Sequence, residues 1–212
     1  MSLEIVLGPM FAGKSSYILS SLRRYEAIGW PVLSITSALD TRYETDAIHS
    51  HNHERHSAVS ADLLAPLLMT ESFAEARLIV IEEAQFFKDL YPFVEHAVDV
   101  CGKDVLVVGL DGDSERRPFG RITDIIPLCD KITKLTAMCK MCGDGTPAIF
   151  THRHRKDADT SVIKVGEADT YEALCRAHYC GLTRLCSSSS GPTKDMICNS
   201  SPPEQLQSAV HY

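Results

Sequence analysis

Residues 8–15 read GPMFAGKS, which fits the pattern G-x-x-x-x-G-K-[ST]. No other feature constrains the fold as strongly, because the pattern works only as the turn between a buried strand and the start of a helix. The flanks supply both. LEIVL (3–7) is apolar and β-prone, and KSSYILSSLRRYEAI (14–28) spaces Tyr17, Ile18, Leu22, Tyr25 and Ile28 at helical intervals before Gly29 ends the run. Successive backbone N–H groups at a helix N-terminus cradle an anion, and the glycines let the ligand approach the backbone closely. Gly8, Pro9, Met10, Phe11, Ala12, Gly13, Lys14 and Ser15 are therefore the expected phosphate cradle for ATP. Lys14 would reach the β- and γ-phosphates, and Ser15 would bind Mg²⁺.

Further apolar runs follow at VLSIT (32–36), LIVI (78–81) and VLVVGL (105–110), with a helical pattern over 86–100. Alternating strands and helices predict an α/β fold, a P-loop (RecA-like) parallel sheet with helices on both faces. Residues 40–60 hold Asp40, Arg42 and four histidines without a sustained period, and read as a loop. LIVI ends in Glu82 and Glu83. Taken alone, that pair marks a strand running out into solvent. Beside a phosphate loop it has a use, because such a fold needs one acid for Mg²⁺ and another group to position the nucleophile. Neighbouring strand residues face opposite ways, so one glutamate can serve each task.

The composition changes near Thr136. Cys139-x2-Cys142 and Cys175-x2-His178 make two short chelating turns, the spacing of a tetrahedral structural Zn²⁺ site. Cys180 and, less directly, Cys186 compete as the fourth ligand. Cys101 and Cys129 read as buried fillers. Eight cysteines without a secretory signal point to metal binding in a reducing, cytoplasmic setting rather than to disulfides. The expected division is a P-loop domain over 1–135, a small zinc-ribbon-like unit over 136–186, and a disordered Ser- and Pro-rich tail over 187–212. A net charge of −7 gives no global basic field for nucleic acid, and no apolar stretch is long enough for a membrane span.

Taken together, GPMFAGKSS, DTRY, EEAQFF, LDGD with RRPFG, KLTAMCKMC and VGEADTYEALCRAH resemble the cytosolic-type thymidine kinases, the zinc-containing P-loop family, from about Leu3 to His178. The resemblance implies a homotetramer that moves the γ-phosphate of ATP to the 5′-hydroxyl of thymidine with Mg²⁺, and that dTTP inhibits. It implies Glu83 as the base, Glu82 as the metal-linked acid, Gln85 in the same nucleotide-contacting segment, and Asp40 and Arg42 as a phosphate- and sugar-side pair. It also implies a base-recognising lasso over Val162, Ile163, Lys164, Val165 and Gly166. Met10, Phe86, Leu110 and Phe119 would form apolar walls, with Thr151 near the 5-methyl group and Tyr171 closing the site. Three positions depart from the family pattern: Glu82 stands for the usual Asp, Ser114 for an aromatic residue, and Glu167 for a lasso glycine. Another P-loop kinase or ATPase would share the phosphate and metal motifs but not the lasso and zinc segment. A zinc-ribbon nucleic-acid binder would need a basic surface, for which THRHRK (151–156) is the sole candidate.

Overall fold

The computed structural model describes residues 1–39, 47–49, 55–154 and 170–187. The readings placed on Asp40, Arg42, the 162–166 lasso, Glu167 and the tail from residue 188 lie outside these described residues.

Six strands form the central sheet: β1 (Ser2–Leu7), β2 (Val32–Ser37), β5 (Val59–Ala61), β6 (Leu78–Ile81), β7 (Asp104–Gly109) and β8 (Lys131–Lys134), in the order β5-β2-β6-β7-β1-β8. Every pairing in it is parallel. Such a sheet must be covered on both faces, and the strand alternation shows how. Ile5, Leu7, Ile35, Ile79, Ile81 and Val107 face one core with Phe73, Leu90, Phe93 and Ile122. Val6, Leu78, Val80, Leu106 and Val108 face the other with Ile18, Leu19 and Leu22. The helices supplying these partners are α1 (Lys14–Glu26), α2 (Glu71–Glu75), α3 (Leu90–Glu95), which continues as a π-helical segment over His96–Val100, and, for Ile122, a 3₁₀ helix over Ile122–Leu128. Leu7 pairs with Gly109 and Ile81 with Val107, so three strands end together at one edge of the sheet. Ligands of open α/β sheets bind beyond that carboxyl edge.

The zinc-type segment builds two small antiparallel ribbons. One joins β9 (Ala137–Met138) to β10 (Pro147–Ala148), and the other joins β11 (Phe150–Arg153) to β12 (Tyr171–Leu174), which leads into α4 (Arg176–Ser187). Their apolar core is Ala137, Ala148, Ala173, Leu174 and Tyr179, with Ala12 of the phosphate loop packed against it.

Three expectations need correction. The stretch 40–60 is not simply a loop, since β3 (Ala47–His49) pairs with β4 (Arg55–Ser57) and β5 joins the main sheet. The helix expected from residue 86 begins at Leu90, after a 3₁₀ turn over Ala84–Phe86. Cys101 is exposed and fills no core, while Cys129 is only half-buried, packed against the edge of the main core. No helix among the described residues is long and apolar enough to cross a membrane.

Candidate active site and metal centre

The phosphate loop leaves β1 at Gly8, where an added Cβ would lie 2.8 Å from the Leu135 carbonyl oxygen and 3.2 Å from Ala12 Cβ. Gly13 caps α1 in the left-handed region at φ 78°, and Gly13 O accepts from Tyr17 N over 3.0 Å. The first turn of α1 carries no acidic residue while its last turn holds Arg23 and Arg24. That distribution leaves the positive end of the helix dipole to an anion. Lys14 Nζ folds back to donate to Pro9 O over 3.0 Å.

Glu82 and Glu83 follow β6 directly, and both are buried. The solvent-exit reading of this pair is therefore excluded. The two carboxylates diverge. Ser15 Oγ donates to Glu82 Oε1 over 2.6 Å, while Glu83 Oε2 accepts from Gln85 Nε2. Glu83 adopts φ 52° and Phe11 φ 65°, left-handed conformations that cost a non-glycine residue on the order of 1–3 kcal/mol. Two of the three such outliers among the described residues thus sit at the cradle and the acid pair; the third is Arg116 at φ 66°.

Gln85 also accepts from Leu110 N over 3.0 Å, so it clips β6's exit to that of β7. This contact requires glycine at two places. A Cβ at Gly109 would lie 2.3 Å from Gln85 Oε1, and one at Gly120 would lie 1.9 Å from Gln85 O. Sequence reasoning placed Gln85 beside the nucleotide; its role as a support for Glu83, and the two glycines behind it, left no recognisable motif. Phe86 and Phe119 meet edge to face at 5.5 Å.

The β11–β12 hairpin reaches the cradle through Thr151, whose Oγ1 accepts from Met10 N over 3.0 Å. Thr151 opposes Ala173 and Arg153 opposes Tyr171, so Thr151 and Tyr171 share one hairpin face. Met10, Leu110, Phe86 and Phe119 are half-buried, whereas Thr151 and Tyr171 are buried.

Cys139, Cys142, Cys175 and His178 present ligand atoms all within 4.8 Å of one another. Cys139 Sγ and Cys142 Sγ lie 3.5 and 3.3 Å from His178 Nδ1, and Cys142 Sγ lies 3.8 Å from Cys175 Sγ. Cys180 is outside this set and accepts from Arg116 instead. Burial opposes ionisation of Cys139, yet the N–H groups of Cys175 and Cys142 and the His178 ring bring its thiol down to about 6. The Thr146 hydroxyl favours the Cys142 thiolate, but burial and the two neighbouring sulfurs push it up to about 11. Crowded sulfurs that resist a second negative charge are relieved by a cation, and three thiolates with one imidazole fit tetrahedral Zn²⁺.

A parallel sheet with a phosphate loop at the end of β1 and paired acids at the end of β6 defines a P-loop nucleotide-binding α/β protein. A profile of the family described as "Thymidine kinase" matches residues 1–179. The chain is 40% identical over 186 residues to "Thymidine kinase a" of Arabidopsis thaliana, covering 84% of this chain and 74% of that one. It is 37% identical over 177 residues to "Thymidine kinase, cytosolic" of Homo sapiens, covering 84% and 72%, and 35% identical over 177 residues to a Variola virus "Thymidine kinase", covering 84% and 96%. The chain belongs to the thymidine kinase family.

Proposed function

We infer that this protein is an ATP-dependent thymidine kinase, which transfers the γ-phosphate of ATP to the 5′-hydroxyl of thymidine to give dTMP and ADP. One observation carries the reading. The phosphate loop is tied to Glu82 through Ser15 and to the β11–β12 hairpin through Met10 and Thr151, so three separate segments of the family pattern meet at one sheet edge.

In this reading residues 8–15 bind the triphosphate, with Lys14 turning from Pro9 toward its β- and γ-oxygens. Ser15 and Glu82 offer adjacent oxygens for Mg²⁺, which would neutralise charge on the phosphates. Glu83, held by Gln85, accepts the proton of the 5′-hydroxyl as that oxygen attacks the γ-phosphorus and the bond to ADP breaks. Arg42, paired with Asp40, steadies the transferring phosphoryl. Residues 162–166 read the edge of the base. Met10, Phe86, Leu110, Phe119 and Tyr171 wall it in, and Thr151 stands near the methyl group. Cys139, Cys142, Cys175 and His178 would hold Zn²⁺, which would fix the small unit and, through it, the hairpin.

A division at residues 135 and 136 is supported by the separate apolar cluster that begins at Ala137. Homotetramer assembly, inhibition by dTTP and a cytoplasmic setting complete the reading; similarity to the human protein named cytosolic supports the last of these. The test is a phosphate-transfer screen with Mg·ATP against the four deoxynucleosides and deoxyuridine. Thymidine should be the best acceptor, and turnover of purine nucleosides with thymidine inert would overturn the assignment.

A further inference from the structure

Apart from the Cys3His set, one other group of imidazole and carboxylate atoms converges among the described residues: His152, His154 and Glu172, all within 4.8 Å of one another. Strand geometry explains the convergence. His152 opposes Glu172 across the hairpin and His154 follows two residues on, so all three share the face opposite Thr151 and Tyr171. His152 Nδ1 lies 3.1 Å from Glu172 Oε1, and His154 Nδ1 lies 3.7 Å from the same oxygen. The second distance is too long for a hydrogen bond. It is an ordinary separation for two ligands sharing one ion at about 2.0–2.2 Å.

Burial and packing suit a site. The Glu172 side chain is only 10% exposed, and the two imidazoles face its carboxylate; His154 at 34% leaves a path from solvent. The His152 ring is held edge to face between His154 at 5.9 Å and Tyr179 at 6.0 Å, which fixes where its nitrogens point. We propose that His152, His154 and Glu172 form a second metal site, for a borderline divalent ion such as Zn²⁺, distinct from the four-ligand centre. Two imidazoles and a carboxylate suit such an ion, and three protein ligands leave a position for water.

The site also has a consequence. His154 N donates to Thr170 O over 2.9 Å, closing the base of the segment 155–169. An ion bridging His152 and His154 to Glu172 would clamp that base a second time. The segment contains the residues assigned to base recognition, so this consequence, unlike the site itself, rests on the proposed function.

The full-length protein, dialysed to its tightly held metal, is titrated with Zn²⁺ and with Co²⁺ beside His154→Gln and Glu172→Gln. The wild type should take up a second equivalent, and the second Co²⁺ should add no thiolate-to-cobalt charge transfer. Both variants should keep the first metal, which reports folding, and bind the second about tenfold or more weakly. Uptake that stops at one equivalent overturns the site, as does a second equivalent bound unchanged by either variant. ¹¹³Cd NMR of the wild type decides without any variant: a second resonance in the nitrogen and oxygen range is expected, and one in the sulfur range overturns the assignment. Filling the site should lower the thymidine KM several-fold with kcat unchanged, and a normal second equivalent without that shift would refute the clamp. Metal uptake is read without substrate, so failure of the kinase reading would be seen separately.

Discussion

Ser15 Oγ and Glu82 Oε1 lie 2.6 Å apart, joining the first turn of α1 to the end of β6 across the mouth of the sheet. Although β7 lies between β6 and β1, the phosphate-loop hydroxyl and the carboxylate after β6 meet here as the two kinds of oxygen donor that a phosphate-bound Mg²⁺ takes from a P-loop protein. Glu83, one residue on, turns away into a left-handed conformation toward Gln85. The backbone at this point assigns adjacent, chemically identical side chains to different partners.

That divergence predicts unequal effects from equal substitutions. On the proposed reading Glu82 acts on Mg²⁺, and Glu82→Asp shortens that carboxylate by a gap that an intervening water can span. Activity should stay within about tenfold, roughly 1.4 kcal/mol of barrier. On the same reading Glu83→Asp withdraws the base, which must stay within hydrogen-bond reach of the hydroxyl. Asp tolerates a left-handed backbone well, so the loss, on the order of a hundredfold in kcat, would come from reach rather than folding. Measured side by side with ATP affinity, equal losses or a worse loss at Glu82 would reverse the two roles.

Gln85→Leu tests how Glu83 is held. An amide N–H donated to a carboxylate favours its charged form. Removing that donor should lower kcat by about tenfold to a hundredfold and move the acidic limb of its pH profile upward, with the ATP KM unchanged. A purely structural role would lower thermal stability without moving the pH profile. Gly109→Ala should act in the same direction, because its Cβ would lie 2.3 Å from Gln85 Oε1.

β1, β2, β6, β7 and α1 are legible because burial on both sheet faces writes apolar runs into the strands, and burial of one helix face spaces Ile18, Leu19 and Leu22 along α1. β8 is not. Its sequence KITK shows mostly polar side chains to water, Ile132 is 47% exposed, and only backbone pairing with β1 makes it a strand. The β5 segment VSA is too short to carry a period. The apolar sequence neighbours of Cys101 do not bury it; Val100 beside it is itself 71% exposed. In the site, the phosphate loop, the acid pair and the chelating turns could be read from local spacing. The grip of Gln85 on Glu83 depends on close approach by Gly109 and Gly120 from elsewhere in the chain, and the His152–Glu172 pairing depends on strand register. THRHRK looked like a basic patch in isolation, but His152 and His154 turn to a carboxylate instead.

The four-ligand centre should hold one zinc that survives dialysis. Cys139→Ser and His178→Ala should lose it, while Cys180→Ala should keep it, because that sulfur faces Arg116. The ribbons around the centre have a small apolar core, so metal affinity contributes directly to folding. Chelation should lower the melting temperature by on the order of ten degrees and abolish thymidine turnover with it. Fully active protein without zinc, or zinc retained by His178→Ala and lost from Cys180→Ala, would refute the ligand set.

The last prediction concerns acid stability. Glu4 on β1 accepts from Lys131 Nζ of β8 over 2.7 Å and from Tyr17 Oη of α1 over 2.5 Å, tying an edge strand and a helix to the sheet's interior. Partial burial works against ionisation of Glu4, but the Lys131 and Tyr17 hydrogen bonds outweigh it and hold the carboxyl below its ordinary 4.5. A carboxylate more acidic when folded stabilises the fold fully above its unfolded value, and that contribution disappears as pH falls through the lowered folded value. Glu4→Gln keeps the shape and removes the charge. It should melt about 1–2 °C below the wild type at pH 7, a small effect because the Lys131 side chain is exposed to solvent. The two melting curves should draw together below about pH 4. A gap that stays constant from pH 7 to pH 3, or no gap at pH 7, would mean that the charge of Glu4 does not hold β8 to the sheet.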